Sequence, residues 1–103
     1  MGTKAVERLR RKLTLENLWI YIVRILGDEP GLKAYDVKKR LRDRYGIKPA
    51  TVTVYTTLYK MTREKLLETR DEGGDKRYYV TEKGAAVLEE AKKILREVLE
   101  KIS

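Results

Sequence analysis

The segment from Thr51 to Thr81 constrains the fold of this chain more than any other part of the sequence. A Gly-Gly pair at positions 73 and 74 separates two short strand-like runs, Leu66 to Arg70 and Lys76 to Val80. Such a pair between two runs of this kind predicts a β-hairpin with a tight turn. Thr81 then supplies a hydroxyl that can cap a helix, and an acidic residue follows it. The segment therefore predicts a strand, a turn, a second strand and a helix, in that order.

The residues just before the hairpin give conflicting signals. The run from Val52 to Thr56 consists of β-forming residues, which by propensity alone favour a strand. Val54, Leu58 and Met61, however, recur at spacings of four and three residues, which is the period of a helix. Thr51 precedes them as a candidate N-cap. Because the helical period extends beyond the run of β-formers, we predict that the whole segment is a helix.

Apolar spacing predicts helices further upstream as well. Val6, Leu9 and Leu13 lie three and four residues apart with basic residues between them, which is typical of a basic amphipathic helix. Thr14 either caps a new helix or lies within a longer one. The wide apolar stripe from Leu15 to Leu26 predicts a buried helix, which the Gly and Pro residues that follow bring to an end.

A helix from about Lys33 to Tyr45 is predicted next, with Ala34, Val37 and Leu41 on its inner side. Gly46 follows as a C-cap, where a left-handed backbone is favoured. After the basic N-terminal segment, the order is three helices, a hairpin and a last helix. This order predicts a mainly α fold with a small β-hairpin, a winged helix-turn-helix, in which the last helix serves for dimerisation.

The last predicted helix, about residues 82–102, carries an apolar stripe that is long for packing within one small domain. The stripe consists of Leu88, Ala91, Leu95, Val98 and Ile102. An exposed stripe of this size usually packs against a partner, and a symmetric dimer is the commonest solution. We therefore expect a homodimer formed through this helix. Trp19 is a further candidate for the interface, with ordinary core packing as its alternative.

Composition limits the functions that the chain can carry. Its 103 residues predict one domain, from 1 to 103, and the absence of Cys and His removes thiolate metal sites and the commonest general base. We therefore expect no enzyme, cofactor or metal site. No apolar run approaches the ~20 residues of a membrane span, and no signal-peptide pattern begins the chain, so a cytoplasmic protein is expected. The net charge of +8 attracts nucleic acid. It also suits an anionic membrane surface, and it can occur in a protein without any specific anionic partner.

In a helix-turn-helix, the third helix enters the major groove of double-stranded DNA. Side chains on the predicted outer side of this helix are therefore candidates for DNA binding: Thr51, Thr53, Thr56, Tyr59, Lys60 and Arg63. The threonines lie nearest the base edges, where each offers a hydroxyl and also a methyl group for thymine. The two basic side chains are expected to contact phosphates. An ordinary solvated helix face is the alternative interpretation.

Basic residues outside this helix complete the candidate surface. Lys48 and the first backbone amides of the helix can hold a phosphate at the helix N-terminus. Arg70, Lys76 and Arg77 stand at the base of the hairpin and suit the DNA backbone. The acidic tip, residues 71–75, would be repelled by phosphate at close range.

Four strings of the sequence resemble the PadR family of transcriptional regulators, and its archaeal members in particular. The first is Leu15 to Leu26 with Asp28-Glu29-Pro30. Residues 34–39 read Ala-Tyr-Asp-Val-Lys-Lys, where the family usually reads His-Gly-Tyr-Glu. Residues 49–58 correspond to the recognition-helix signature of the family. Residues 76–84 read Lys-Arg-Tyr-Tyr-Val-Thr-Glu-Lys-Gly and match its Arg-Tyr-Tyr-x-Leu-Thr-x-x-Gly ending. The resemblance extends from about residue 15 to the C-terminus.

The resemblance implies a dimeric winged-helix repressor whose last helix packs against the partner subunit. It also implies a set of residues at the DNA surface: Tyr35, Thr51, Thr53, Tyr55 and Lys60. Lys38, on the bracing helix, is a further candidate. Some similar proteins bind small aromatic effectors at the dimer interface, and Trp19 and Tyr21 can line such a pocket, although core or dimer packing is favoured for them.

The sequence departs from the family pattern in two places. The His-Gly pair is replaced by Lys33 and Ala34. The usual Glu-x-Gly before the first strand is Arg63-Glu64-Lys65, so that the tight turn lacks its glycine.

Two functional hypotheses follow from these observations. The first is a homodimeric, sequence-specific DNA-binding regulator, in the form of a repressor, that recognises a near-palindromic operator. The second is a winged helix used as a protein-interaction module without sequence-specific DNA binding. An enzyme is the weakest interpretation, because no cluster of acids, nucleophile and base appears in the sequence.

Overall fold

The computed structural model describes residues 2–103 and contains five α-helices and one antiparallel hairpin within them. The helices are α1 (Lys4–Leu13), α2 (Leu18–Asp28), α3 (Ala34–Tyr45), α4 (Thr51–Arg63) and α5 (Glu82–Lys101). The strands are β1 (Leu67–Glu72) and β2 (Asp75–Val80), and a short 3-10 turn, Leu15–Asn17, joins α1 to α2. The predicted mainly helical class and order of elements are confirmed, and the segment of β-forming residues is indeed helical.

The start of α4 differs from the prediction. Thr51 is the first helical residue, and Ala50 is the N-cap, without a side-chain hydrogen bond. The cause lies in the backbone, because the Ala50 carbonyl already accepts hydrogen bonds from the amides of Thr53 and Val54 at 3.0 and 3.2 Å. The Thr51 hydroxyl oxygen accepts a hydrogen bond from Lys38 Nζ at 2.6 Å instead, which ties α3 to α4.

The hydrophobic core lies between α2, α3, α4 and the hairpin. Its least exposed large side chains are Ile22, Ile25, Leu26, Val37, Leu41, Val54, Leu58, Met61 and Leu67. Each of these helices contributes residues at helical spacing, as the sequence predicted. Helix α1 differs, because none of its residues is buried. Thr14 ends α1 with non-helical backbone angles (φ −122°, ψ −89°), and the 3-10 turn follows, so that α1 and α2 are separate helices.

Two features fix α3 against its neighbours. Gly46 ends the helix in the left-handed conformation (φ 66°), as predicted for a C-cap, and turns the chain toward α4. Arg40 donates to the carboxylate of Glu29 at 2.9 Å, and Arg44 donates to Asp28 at 2.8 Å, which links α3 to the end of α2. The hydrogen bond from Arg40 lowers the pKa of Glu29 below its ordinary value.

The hairpin is anchored to the helices through its second strand. Gly73 and Gly74 both adopt positive φ values, 59° and 84°, which are required in the tight turn that pairs β1 with β2. Tyr78 of β2 points into the core, whereas Tyr79 lies on the other face, as strand alternation predicts. The amide of Tyr78 donates to the Leu32 carbonyl at 3.0 Å, which joins the hairpin to the loop before α3.

Helix α5 begins against the hairpin and then extends away from it. The Thr81 hydroxyl accepts a hydrogen bond from the Gly84 amide at 3.0 Å, which confirms the predicted N-cap. Val87 and Leu88 pack against the core, whereas Val98, Leu99 and Ile102 are exposed. Within residues 2–103, every helix is too short or too polar to cross a membrane.

Candidate nucleic-acid interface

Helix α4 presents one buried side and one open side. Val54, Leu58 and Met61 are at most 2% exposed, which confirms the predicted inner side. The opposite side is exposed along the whole helix, and no element within residues 2–103 covers it. It consists of Val52, Thr56, Tyr59, Lys60 and Arg63. Hydroxyls and cations thus share a convex surface of the size that fits a DNA groove.

The predicted residues of α4 do not all lie on this open side. Thr53 is half-buried on one flank, and its carbonyl accepts a hydrogen bond from the Thr57 hydroxyl at 2.8 Å. Tyr55 is exposed on the opposite flank, next to α3. Lys60 lies at the border between the open side and a cleft that also contains Trp19. The centre line of the open side is therefore Val52, Thr56, Tyr59 and Arg63, which lie close together when a helix is wound at about 3.6 residues per turn.

A groove brings together three candidate residues from different elements. Tyr35 at the start of α3, Tyr55 of α4 and Lys76 of β2 line a groove of 390 Å³, together with Lys33, Ala34, Tyr78 and one acidic residue, Asp75. Burial raises the pKa of the Tyr78 phenol, and the neighbouring Tyr55 raises it further. Phenol hydroxyls and ammonium groups are donors suited to phosphate oxygens. Lys38 stands nearby through its bond to Thr51.

The basic residues of the hairpin are divided between its two faces. Directly opposed residues share a face, and Arg70 pairs with Arg77, whereas Lys76 pairs with Asp71. Lys76 lies on the face toward α3 and α4. Arg70 and Arg77 lie on the other face. Arg70 and Arg77 therefore do not lie on the face of the hairpin that is turned toward α4.

Both arginines have partners within the protomer. Arg77 donates to the Gly31 carbonyl at 2.8 Å. Arg70 donates to Glu68 at 2.9 Å and stacks over the Tyr79 ring at 4.1 Å. Tyr79 also donates to Glu72, which raises the pKa of its phenol.

Two further residues frame the start of α4. Lys48 is exposed in the loop that precedes the helix. Val52 is 70% exposed in the first turn, and it was not among the polar and aromatic residues predicted for this surface from the sequence. The same helical winding that placed Val54 inside places Val52 almost opposite to it, so the signal was present in the sequence.

The residues predicted for a dimer interface fall into two groups. Leu88 and Ala91 are half-buried against α2 of the same protomer. Leu95, Val98 and Ile102 are 43%, 50% and 77% exposed, so the apolar stripe is open over the second half of α5.

Trp19 is half-buried and lines a cleft of 550 Å³ between α2, α4 and the start of α5. Its indole nitrogen donates to Asn17 Oδ1 at 3.3 Å. Tyr21 lies elsewhere, on the Tyr45 side of α2, so the two aromatic residues do not share this cleft. In the described part of the chain, no three acidic side chains gather in a way that could hold a metal ion.

The model of the transcriptional regulator PadR-like family matches residues 22–90, from α2 to the first half of α5. No curated protein matches the sequence significantly.

Several solved structures share the fold. The chain is similar to a PadR-like transcriptional regulator from Bacillus cereus strain ATCC 14579, with a TM-score of 0.74 and 23% identity over 90% of this chain and 92% of that one. It is similar to a PadR family transcription regulator from hypervirulent Clostridium difficile R20291, with a TM-score of 0.68 and 26% identity over 82% and 92% of the two chains. F93 from STIV, described as a winged-helix DNA-binding protein, has a TM-score of 0.69 and 20% identity over 80% and 89%.

Proposed function

Because the chain belongs to the PadR-like family of transcriptional regulators, we propose that it binds a specific double-stranded DNA operator as a homodimer. The observation that carries this proposal is the open side of α4, where hydroxyls and cations are exposed in a chain of net charge +8. The regulator from Clostridium difficile, at 26% identity, supports a role in transcription. In this proposal, residues 1–103 act as one winged-helix domain, with α1 as an extension and α5 for dimerisation.

The proposed docking places α4 in the major groove, with its N-terminal residues nearest the bases. Thr56 and its neighbours then face base edges, while Lys60 and Arg63 approach phosphates and position the helix. Lys48 flanks the other end of α4. The groove of Tyr35, Tyr55 and Lys76 adds donors for a neighbouring stretch of backbone.

The homodimer is proposed from two exposed apolar stripes. The second half of α5 exposes Leu95, Val98 and Ile102 to water in the isolated protomer. Helix α1 is only 10 residues long, none of its residues is fully buried within the protomer, and Leu9 on its apolar side is 59% exposed. An isolated helix shorter than about 12 residues is marginal in water. A second copy that covers both stripes supplies the packing that each lacks.

A symmetric dimer presents two copies of α4 to the same DNA. Their twofold relation favours a near-palindromic operator with half-sites about one helical turn, ~34 Å, apart. A protein of this size that covers its operator acts most simply by excluding other proteins from that DNA. We therefore propose repression as its mode of action.

The acidic tip of the hairpin supports a second candidate function, a winged helix that binds other proteins and not DNA. Asp71, Glu72 and Asp75 lie at the tip, where a wing that approaches phosphate would carry positive charge. Asp75 lies 4.0 Å from Lys33, so one of these charges is partly balanced within the protomer.

One experiment distinguishes the two functions. Purified protein is used to select bound duplexes from a random DNA pool, and the affinity for the selected duplex and for a scrambled duplex is measured between 50 and 200 mM salt (roughly the range in which phosphate contacts cost 10³–10⁵ in affinity). A regulator loses affinity steeply for both duplexes while it keeps its preference for the selected one. A flat salt response with no retained duplex favours the protein-interaction module.

A further inference from the structure

The first half of α4 lacks the side chains that recognise purines most strongly. Arg or Lys pairs with guanine, and Asn or Gln with adenine, through two hydrogen bonds to the base edge. From Thr51 to Tyr59 the helix contains none of these four residue types, and its first cation is Lys60. The part of α4 that enters a groove deepest therefore offers hydroxyls and methyl groups.

Val52 is the most exposed large apolar side chain of this helix, at 70%. It lies in the first turn, on the centre line of the open side, one turn before the exposed Thr56. Val52 is mostly exposed in the folded protomer, so its side chain contributes little to stability.

Helix propensity does not explain a valine at this exposed position either. β-Branched residues lose side-chain freedom in a helix, and Ala, Lys or Glu would stabilise the same position better. Val52 therefore has neither a packing role nor a propensity role within the protomer.

We propose that Val52 contacts the C5-methyl group of a thymine and so determines one base of the operator half-site. This inference rests on the proposed function. The thymine methyl is the one apolar group that a base presents in the major groove, and apolar side chains are its partners there. Cytosine offers no methyl at this position, so the contact selects T·A over C·G. The methyl group of Thr56, one turn further along, extends the same apolar surface.

The test removes only the methyl group from the DNA. In the duplex selected from the random pool, each thymine in turn is replaced by deoxyuridine, which pairs with adenine in the same way but lacks the C5-methyl. We expect one position in each half-site at which this change weakens binding by the wild-type protein by about fourfold, as expected for one buried methyl group. Val52→Ala should bind the thymine and deoxyuridine duplexes equally.

Two protein controls accompany this comparison. Val52→Thr keeps one of the two γ-methyl groups in place and should retain most of the discrimination between thymine and deoxyuridine. Because Val52 is mostly exposed, Val52→Ala should unfold at the same urea concentration as the wild type or slightly above it, which excludes misfolding as the cause of a change.

The outcomes separate the inference from the function that it rests on. If the wild type prefers its operator but binds every deoxyuridine duplex as tightly, the role of Val52 is wrong and the proposed function stands. If Val52→Ala loses as much as the wild type at the same position, another residue contacts that methyl and the inference is again wrong. If the wild type shows no preference for any duplex, both are wrong.

Discussion

Gly84 shows how one missing side chain lets α5 pack against the hairpin. A Cβ atom at this position would lie 2.2 Å from the Leu66 carbonyl oxygen and 3.1 Å from a methyl group of Val80. We expect Gly84→Ala to lower the free energy of unfolding by about 2–4 kcal/mol, because backbone has to move. The measurement is urea unfolding followed by circular dichroism.

Gly27 supplies a matched control for this substitution. It lies in the last turn of α2, with no atom within 4 Å of the added Cβ. Gly27→Ala should raise the free energy of unfolding by about 0.5–1 kcal/mol, because alanine loses less entropy in a helix. Equal stability of the two variants would show that α5 does not pack on Leu66 as described.

Lys65 adopts a backbone conformation that a side chain disfavours. Its φ is 64°, the one positive value of a residue other than glycine among residues 2–103, and it stands where the family usually has glycine. The left-handed conformation costs such a residue about 1–2 kcal/mol, and glycine recovers this with some loss of chain entropy. We expect Lys65→Gly to stabilise the fold by about 0.5–1 kcal/mol in thermal or urea unfolding.

Glu64, the preceding residue, provides the comparison for Lys65. Its φ is −81°, a value that any residue adopts readily. Glu64→Gly therefore relieves no backbone strain, and it should destabilise the protein because glycine loses more conformational entropy on folding. A loss of stability in Lys65→Gly as large as that in Glu64→Gly would contradict the strained turn.

In helix α4 the sequence predicted the secondary structure and the buried side, but not the exact rotation of the exposed residues. The spacing of Val54, Leu58 and Met61 was enough to override the β-forming propensity of the same segment, because burial of that face outweighs a preference of less than about 1 kcal/mol per residue. The rotation of the outer residues was less well predicted. Thr53 lies on a half-buried flank, while the exposed Val52 was not recognised.

In the hairpin, too, the local structure was predictable from the sequence and the side-chain partners were not. Its turn, strands and inward Tyr78 followed from the sequence, because alternation and a Gly-Gly pair are local signals. The partners of Arg70 and Arg77 did not, because they depend on a register and on a loop, at Gly31, that lies far away in the chain. The basic residues of the hairpin were therefore treated as equivalent residues of its base, although they lie on different faces and within three residue pairs of the turn.

Substitutions on the open side of α4 should separate base contacts from phosphate contacts. Thr56→Ala should weaken binding to the operator by about fivefold, corresponding to roughly 1 kcal/mol, and leave binding to random DNA nearly unchanged. Lys60→Ala should weaken binding to both by similar factors and lower the salt slope by about one. Fluorescence anisotropy on the two duplexes measures both effects. If Thr56→Ala left the operator preference intact, the proposed orientation of α4 would be wrong.

The oligomeric state is the property that the sequence of one chain predicts least well, because an apolar stripe does not show which molecule packs against it. Leu95→Glu places a charge in the exposed stripe of α5 and should convert the dimer to a monomer in sedimentation equilibrium. Ala86→Glu introduces the same charge on the opposite side of α5 and should leave the dimer intact. A wild-type monomer, or dissociation by both variants alike, would contradict dimerisation through this stripe.

The central claim is that two copies of α4 enter one face of a DNA duplex. Hydroxyl-radical footprinting of the wild-type protein on its selected operator tests it directly. The account predicts two protected patches on the same face, with centres about ten base pairs apart, related by the symmetry of the operator. A single patch, or two patches on opposite faces of the duplex, would contradict it.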